Sequence, residues 1–298
     1  MTPIPSKAVI AINPLQYFAT PDGFLDWNLA PPWDELMADV KRAGFDAVHT
    51  RFPGDVSPRD YGQMIRDAGL TPAPGTIQFG IPEDGSSIEG TEDHFRRNAA
   101  GFAELGMDHI FILADVLPDA PRVITPAVGA QADDARLDSV VETLTRACAA
   151  AVAEGVLPIL HPHVGTWVET AEESRYVLDR IDASLLGFGP DVGHLSWAGA
   201  DPIELIEEYR DRLRGVHIKD FHQSVIDESK AAGRTYQQTV AAGLWTEMGR
   251  GDLDFDRVWD AVGPDFDGTI VVEVDRGAIE PPFESIRACA EWVKSQRG

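Results

Sequence analysis

Short apolar runs alternate with longer amphipathic segments along the 298-residue chain. The runs are rich in β-branched residues, whereas the segments between them repeat their apolar positions every three to four residues, as helices do. This alternation predicts parallel βα units. The eight predicted strands are AVIAI (8–12), AVHTRF (47–52), LTPAPGTIQF (70–79), HIFILAD (109–115), LPILHPH (157–163), LLGFGPD (185–191), GVHIKDF (215–221) and GTIVVEV (268–274).

The spacing of these strands indicates the fold class. They begin about 37 residues apart on average, close to the length of one βα unit in an eight-stranded barrel. We therefore predict an α/β fold, a (β/α)8 TIM barrel that forms a single domain over residues 1–298. Predicted helices include 31–44, 91–106, 135–155 and 201–213, and a further helix over 228–243 could act as a lid on the site.

Charge and composition restrict the class of partner. The chain has 49 acidic residues against 25 lysines and arginines, a formal charge of −24, so we expect neither nucleic acid nor an anionic membrane as a partner. A membrane span would need about 20 consecutive apolar residues, and the amino terminus lacks the pattern of a signal peptide. We therefore expect a cytoplasmic protein. Cys148 and Cys289 stand in alanine-rich helical segments and are expected to be core residues.

The last four predicted strands each carry a titratable residue at or near their carboxyl end. In a barrel these ends meet on one face, so two imidazoles and two carboxylates would lie together. This mixed set suits a first-row divalent ion better than Ca²⁺ or Mg²⁺, although each residue alone could be a hydrogen-bonded core residue or a structural ion pair. We predict a metal site, with Mn²⁺ as first choice and Co²⁺, Zn²⁺ or Fe²⁺ as alternatives. Its predicted ligands are His161, Asp191, His217 and Glu273.

Further candidates surround these four residues. His163 and Lys219 each follow a predicted ligand by two positions and therefore share its side of the strand. His194 is expected on the loop after the sixth strand, folded back beside the strand end. Asn13 and Arg51 end the first two strands and could bind substrate hydroxyls, with a surface cap or an ion pair as the alternative for each. Three tryptophans could line the pocket and stack on a sugar ring, with loop packing as the alternative: Trp197, Trp167 and Trp245.

The carboxyl-terminal two thirds of the chain resembles the xylose-isomerase-like superfamily of sugar isomerases, epimerases and lyases. The resemblance is carried by DVGH (191–194), HIKD (217–220), GRGDLDF (249–255) and VVEVD (271–275). More specifically, LHPHVGTWVET (160–170), DVGHLSWAGADP (191–202) and VHIKD (216–220) resemble the inosose dehydratase branch. The resemblance implies a metal held by the four predicted ligands. It also implies that three residues face the substrate: His163, His194 and Lys219.

One departure from the superfamily pattern bears on the reaction. Epimerases and ketose isomerases of the superfamily typically use two glutamates, on the fifth and eighth strands, to pass a proton across an enediolate. Here the fifth-strand position is His161, and an imidazole bound to a metal cannot act as a free base. The change favours elimination, in which a base removes an α-proton and an acid protonates the departing hydroxyl. We predict Lys219 as the base and His194 or His163 as the acid.

The predicted function is therefore that of a carbon–oxygen lyase, a metal-dependent dehydratase of a keto-cyclitol or keto-sugar. Elimination from a 3-keto-glycoside is a close variant, and a metal-dependent isomerase or epimerase of ketoses is the alternative. A third class in the superfamily, nucleases that cut DNA at abasic sites, is disfavoured because a chain with a charge of −24 would repel DNA. A barrel that only binds a sugar is also disfavoured, because a protein without activity would be expected to have lost one or more of the predicted metal ligands. The sequence leaves the substrate and the native metal open, and it is compatible with a homo-oligomer.

Overall fold

The computed structural model describes residues 2–54, 56–81 and 90–297. The strands are β1 (Val9–Asn13), β2 (Ala47–His49), β3 (Thr71–Ala73), β4 (Thr76–Phe79), β5 (His109–Ala114), β6 (Leu157–Leu160), β7 (Gly187–Phe188), β8 (Gly215–Ile218), β9 (Asp220–Phe221), β10 (Trp245–Thr246) and β11 (Thr269–Glu273). The helices are α1 (Trp33–Ala43), α2 (Pro58–Asp67), α3 (Thr91–Glu104), α4 (Pro121–Ile124), α5 (Asp134–Val152), α6 (Ala171–Arg180), α7 (Val192–Trp197), α8 (Pro202–Glu208), α9 (Gln223–Ala232), α10 (Tyr236–Ala241), α11 (Phe255–Val262) and α12 (Pro282–Gln296).

The chain divides into two compact units. The first unit holds the described residues of 1–50, 60–73 and 216–298, and the second holds those of 51–59 and 74–215. Each unit has its own parallel sheet, with the order β3–β2–β1–β11–β8 in the first sheet and β4–β5–β6–β7 in the second. The prediction that residues 1–298 form a single domain stays a prediction.

The register of the first sheet determines which side chains meet at its carboxyl edge. β1 pairs in parallel with β11 from Val9 opposite Thr269 to Asn13 opposite Glu273. Both strands therefore end together, and two predicted site residues become neighbours there. Below them, alanines of three adjacent strands form a small buried cluster: Ala11, Ala47 and Ala73.

In the second sheet, a glycine allows a close approach near the end of β7. A Cβ atom on Gly189 would lie 2.6 Å from Ile159 Cδ1 of the adjacent strand β6 and 2.8 Å from Phe111 Cδ1 of β5, the strand beyond it. A larger residue would push the chain away from β6. Without a side chain, the Gly189 carbonyl comes within hydrogen-bond distance of His161, the residue after β6.

The observed elements confirm most of the sequence prediction. Each predicted strand overlaps an observed strand, and the third is interrupted at residues 74–75, between β3 and β4. The single helix predicted over 228–243 is wrong. Gly233 ends α9 in the left-handed conformation at φ 63°, and Thr235 begins α10 with a capping box to Gln238. The polar segment GIPEDGSSIEG (80–90), which follows the third predicted strand, lies largely at residues 82–89, outside the described part of the chain.

Both cysteines are buried and free, as expected of core residues. Burial raises the pKa of the Cys289 thiol to about 12, so at neutral pH it is not a thiolate. Within the described ranges, none of the helices combines the length and hydropathy that crossing a bilayer requires.

Asp220 fixes the shape of the loop that follows β10. It is completely buried. Its Oδ1 accepts hydrogen bonds from the backbone N–H groups of Phe221 and Leu253, and its Oδ2 accepts from those of Arg250 and Gly251, at 2.8–3.2 Å. A Cβ on Gly251 would lie 2.3 Å from Phe221 O, so this approach requires glycine. The HIKD and GRGDLDF motifs are thus joined through one carboxylate.

Replacement of Asp220 by Asn is expected to lower the free energy of unfolding by about 2–4 kcal/mol, because an NH₂ group would face two backbone donors. Denaturant unfolding followed by circular dichroism measures the change. Asp252→Asn is the matched control, since Asp252 is exposed and accepts one hydrogen bond, from Gln223 N at 2.8 Å. Equal decreases in the free energy of unfolding of the two variants would show that the loop does not depend on the buried carboxylate of Asp220.

Candidate active site

Four predicted site residues of the first unit meet at the carboxylate of Glu273. Glu273 ends β11 and is 4% exposed. Asn13, its neighbour on β1, donates a hydrogen bond from Nδ2 to Glu273 Oε2 at 2.5 Å. Nδ1 of His217 lies 3.2 Å from the same oxygen, and Nζ of Lys219 lies 2.6 Å from the other carboxylate oxygen, Oε1. These four side chains thus form one contiguous group, and their roles stay predictions.

The charges around Glu273 keep it ionised. Burial alone would raise its pKa, but the positive charge of Lys219, the electrostatic effect of His217 and the hydrogen bonds from both residues outweigh that effect. They hold the pKa of Glu273 well below its usual range. A buried carboxylate of this kind can ligate a metal ion at neutral pH.

Lys219 is completely buried between acidic groups and an aromatic ring. Besides Glu273, its Nζ lies 2.8 Å from Asp275 Oδ1, and it stands 5.0 Å from the centre of the Trp245 ring. Both carboxylates and the ring face favour the ammonium form. In that form Lys219 can donate a proton but cannot accept one. The contacts therefore favour an acid at this position, whereas the sequence predicts a base.

His161 and Asp191 form a buried pair in the second unit. The Nδ1 of His161 is 3.0 Å from the Gly189 carbonyl oxygen, which can only accept, so Nδ1 carries the hydrogen and Nε2 presents a lone pair in the neutral ring. Nε2 lies 3.9 Å from Asp191 Oδ2. Two ligands of one metal ion, each about 2.0–2.2 Å from it, can lie at most about 4.3 Å apart. The separation therefore suits two ligands of a common ion.

The Asp191–His194 pair is arranged differently from the prediction. His194 lies in the short helix α7 and not on a loop. Asp191 is the N-cap of that helix, and its Oδ1 accepts a hydrogen bond from the His194 backbone N–H at 2.9 Å. One carboxylate oxygen thus fixes the helix that carries His194, while the other faces His161.

The rings of His163 and His194 stack with their centres 3.5 Å apart and their planes 32° from parallel. His163 Nδ1 lies 2.8 Å from the Val164 carbonyl oxygen, so Nδ1 donates and Nε2 is the acceptor of the neutral ring. Trp197 is 5% exposed, and its ring centre lies 6.0 Å from that of His194. Trp197 thus flanks the imidazole pair, and its predicted stacking on substrate stays a prediction.

Two other sequence candidates have different surroundings. Arg51 follows β2 and is exposed, and its role in substrate binding stays a prediction. Trp167 is 6% exposed, and its ring contacts two guanidinium groups, those of Arg122 at 4.2 Å and Arg136 at 3.6 Å. Arg122 also forms a buried ion pair with Glu173 at 2.6 Å. These contacts favour the alternative of loop packing for Trp167.

Two residues near the site were not predicted to take part in it. Asp275 pairs with Lys219, and its position two residues after Glu273 was a usable signal. His49, at the end of β2, packs edge-on against His217 with the ring centres 5.3 Å apart. That contact depends on strand pairing within the first sheet, and the local sequence carries no sign of it.

The comparisons with known proteins identify the family and the fold. The family described as xylose isomerase-like TIM barrel matches residues 37–296, so the chain belongs to this family. The predicted (β/α)8 fold and the predicted superfamily are thereby confirmed. Inosose dehydratase of Clostridium perfringens is 25% identical over 297 residues, covering 98% of each protein, in agreement with the predicted dehydratase branch.

Solved structures show the same fold at low sequence identity. D-allulose 3-epimerase from Methylomonas sp., in complex with D-allulose, superposes with a TM-score of 0.69 at 15% identity, covering 99% of each chain. The IOLI protein, whose structure holds a zinc atom, superposes with a TM-score of 0.64 at 15% identity, covering 96% of this chain and 97% of the other.

Proposed function

We propose that this protein is a metal-dependent carbon–oxygen lyase, a dehydratase that acts on a keto-cyclitol or keto-sugar. One observation carries the choice of elimination. The hydrogen bond from His161 Nδ1 to the Gly189 carbonyl turns Nε2 toward Asp191, so the fifth-strand residue presents a metal ligand and not a second glutamate base. The inosose dehydratase similar to this chain supports the same class of reaction.

The chemistry of the donor set fits a divalent metal ion. His161 and Asp191 form one buried pair, and His217 and Glu273 form another. In the barrel of this family, the carboxyl ends of successive strands share one face, which would bring both pairs to one ion. Two imidazoles and two carboxylates accept Mn²⁺, Co²⁺, Zn²⁺ or Fe²⁺, and Mn²⁺ is our first choice. The zinc atom held by the IOLI protein, which has the same fold, supports a divalent metal as the cofactor.

When bound, the ion supplies Lewis acidity, which polarises the substrate carbonyl and acidifies the neighbouring C–H bond. The proton transfers belong to residues of this chain. In our proposal, His163 Nε2 takes the α-proton and the Lys219 ammonium gives a proton to the departing hydroxyl. The C–H and C–O bonds break, a C=C bond forms beside the ketone, and water leaves. His194 stacks on His163 and keeps its ring in place.

We also propose that the enzyme works in the cytoplasm on a small molecule, without a nucleic-acid or membrane partner. The formal charge of −24 supports the absence of nucleic-acid and anionic-membrane partners, because such a surface repels phosphate groups.

We expect the metal-loaded protein to convert 2-keto-myo-inositol into a product with the ultraviolet absorbance of a conjugated enone or dione. A 3-keto-glucoside and D-allulose, assayed in parallel by absorbance and NMR, test the elimination variant and the alternative. Interconversion of ketoses without new absorbance would replace the dehydratase by an isomerase or epimerase. A catalytically inert protein in all three assays would contradict both.

A further inference from the structure

A chain of hydrogen bonds in the second unit joins the ring of His163 to the buried carboxylate of Glu169. His163 Nδ1 donates to the Val164 carbonyl oxygen at 2.8 Å. This carbonyl belongs to the same peptide group as the Gly165 N–H, which donates to Glu169 Oε2 at 2.9 Å. The peptide group is trans, so its C=O and N–H bonds point in opposite directions. The imidazole and the carboxylate therefore bind opposite sides of one planar group.

The backbone around this peptide group does not by itself determine its orientation. Gly165 has a φ of 90°, and without a Cβ atom it can adopt several conformations at little steric cost. Two backbone hydrogen bonds of His163, at 3.0 Å and 3.2 Å, close the base of the turn, but neither involves the peptide group between residues 164 and 165. The bond to Glu169 therefore favours the orientation in which the Val164 carbonyl faces the His163 ring.

Glu169 is itself held in place from the other side. It is completely buried, and its two carboxylate oxygens accept hydrogen bonds from Gly129 N at 2.8 Å and Ala127 N at 3.3 Å. Ala127 has a φ of 63°, a conformation that is costly for a residue with a Cβ atom and persists only where its surroundings enforce it. The Glu169 N–H donates to Glu173 Oε2 at 3.0 Å. A strained turn and a buried glutamate thus fix the carboxylate that binds Gly165.

Glu169 can accept the Gly165 hydrogen bond whether or not it is ionised. Burial raises the pKa of Glu169, and the N–H groups of Gly165 and Gly129 and the positive charge of Arg122 offset part of that rise. A neutral carboxyl group still has an oxygen that can accept from a backbone N–H. The orientation of the peptide group therefore does not depend on the titration of Glu169.

We propose that Glu169 is a positioning residue for His163, the base of the proposed reaction. By holding the peptide group, it keeps the hydrogen of the neutral ring on Nδ1 and leaves Nε2 to take the α-proton. If the peptide group were reversed, the Gly165 N–H would face the ring, Nδ1 would accept from it and Nε2 would carry the hydrogen. In that tautomer Nε2 cannot take a proton from the substrate. The inference rests on the proposed function, and the role resembles that of a carboxylate that orients a catalytic histidine directly.

The test is the tautomer of His163 in the protein loaded with zinc, which is diamagnetic. Nitrogen NMR of the imidazole rings distinguishes the two tautomers, and the His163 signals are those absent from His163→Asn. In the wild type, we expect the hydrogen on Nδ1. In Glu169→Met, which removes both acceptor oxygens at similar volume, we expect it to move toward Nε2.

Glu169→Met should also slow exchange of the α-proton of 2-keto-myo-inositol in deuterated water about 10- to 100-fold, the usual effect of losing a group that orients an active-site histidine from outside. Its zinc content should stay at the wild-type level, because the proposed metal ligands keep their own contacts. Glu172→Met, at an exposed position in the first turn of α6, is the matched control and should change neither the tautomer nor the exchange rate.

A hydrogen on Nε2 of His163 in the wild type would overturn the inference without any variant, as would an unchanged tautomer in folded Glu169→Met. Loss of zinc together with exchange would show that Glu169 supports the whole loop and would refute the specific role. If circular dichroism shows that Glu169→Met is unfolded, Glu169→Gln takes its place and should shift the tautomer in the same direction, since it keeps one acceptor oxygen for three N–H donors. A wild type with the Nδ1 tautomer that neither exchanges nor dehydrates the ketone would refute the proposed reaction but not the positioning of His163.

Discussion

Lys219→Met is expected to reduce dehydration about a thousandfold while the α-proton of the substrate still exchanges with solvent. Loss of a general acid typically costs a factor of 10² to 10⁴, and the step that removes the α-proton does not need that acid. The prediction follows from the two ion pairs of Lys219, at 2.6 Å and 2.8 Å, which favour its ammonium form. NMR in deuterated water measures exchange, and ultraviolet absorbance measures elimination in the same sample.

Loss of exchange together with elimination would reverse the assignment and make Lys219 the base that the sequence predicts. Lys230→Met, at an exposed position on α9, is the matched control and should leave both rates unchanged. Lys219→Met also leaves two buried carboxylates without their cation, so its folding needs to be checked by circular dichroism. Lys219→Arg keeps the charge and serves as the second variant.

Removal of the metal is expected to abolish turnover, and addition of Mn²⁺, Co²⁺, Zn²⁺ or Fe²⁺ should restore it to different extents. We expect His161→Ala and His217→Ala each to weaken metal binding by at least about 100-fold, because each removes one of four proposed ligands. Elemental analysis of the purified variants measures the bound metal. His109→Ala is the control, since His109 stands at the opposite, starting end of its strand. Full metal content in both test variants would contradict the proposed ligand set.

The sequence predicted the strands because each is a short β-branched run between amphipathic helices. The proposed ligand positions followed from the same pattern, since a strand end can be located to within a few residues. The helix over 228–243 was mispredicted because its apolar period continues through Gly233, although the backbone turns there. A local cap at Thr235 then decides where the next helix begins.

The protonation state of Lys219 and the orientation of the His161 ring could not be predicted from the sequence, because both depend on tertiary contacts. Lys219 appears in the sequence as a lysine in an apolar strand, which suggests a neutral amine. The structure surrounds it with Asp275 and with Trp245, which lies 26 residues away in the chain. The orientation of the His161 ring likewise depends on the carbonyl of Gly189, a backbone group that carries no sequence signal.

The conformation of the loop held by Asp220 depends little on which side chains the loop carries. Its four hydrogen bonds all come from backbone N–H groups, so they would be the same for almost any side chains at Arg250 and Leu253. Gly251 is restricted by its approach to Phe221 O, and Gly249 is restricted by its φ of 76° and by its approach to the Trp292 ring. A library that randomises positions 250 and 253 while retaining Asp220 and Gly251 should therefore give a high fraction of folded variants.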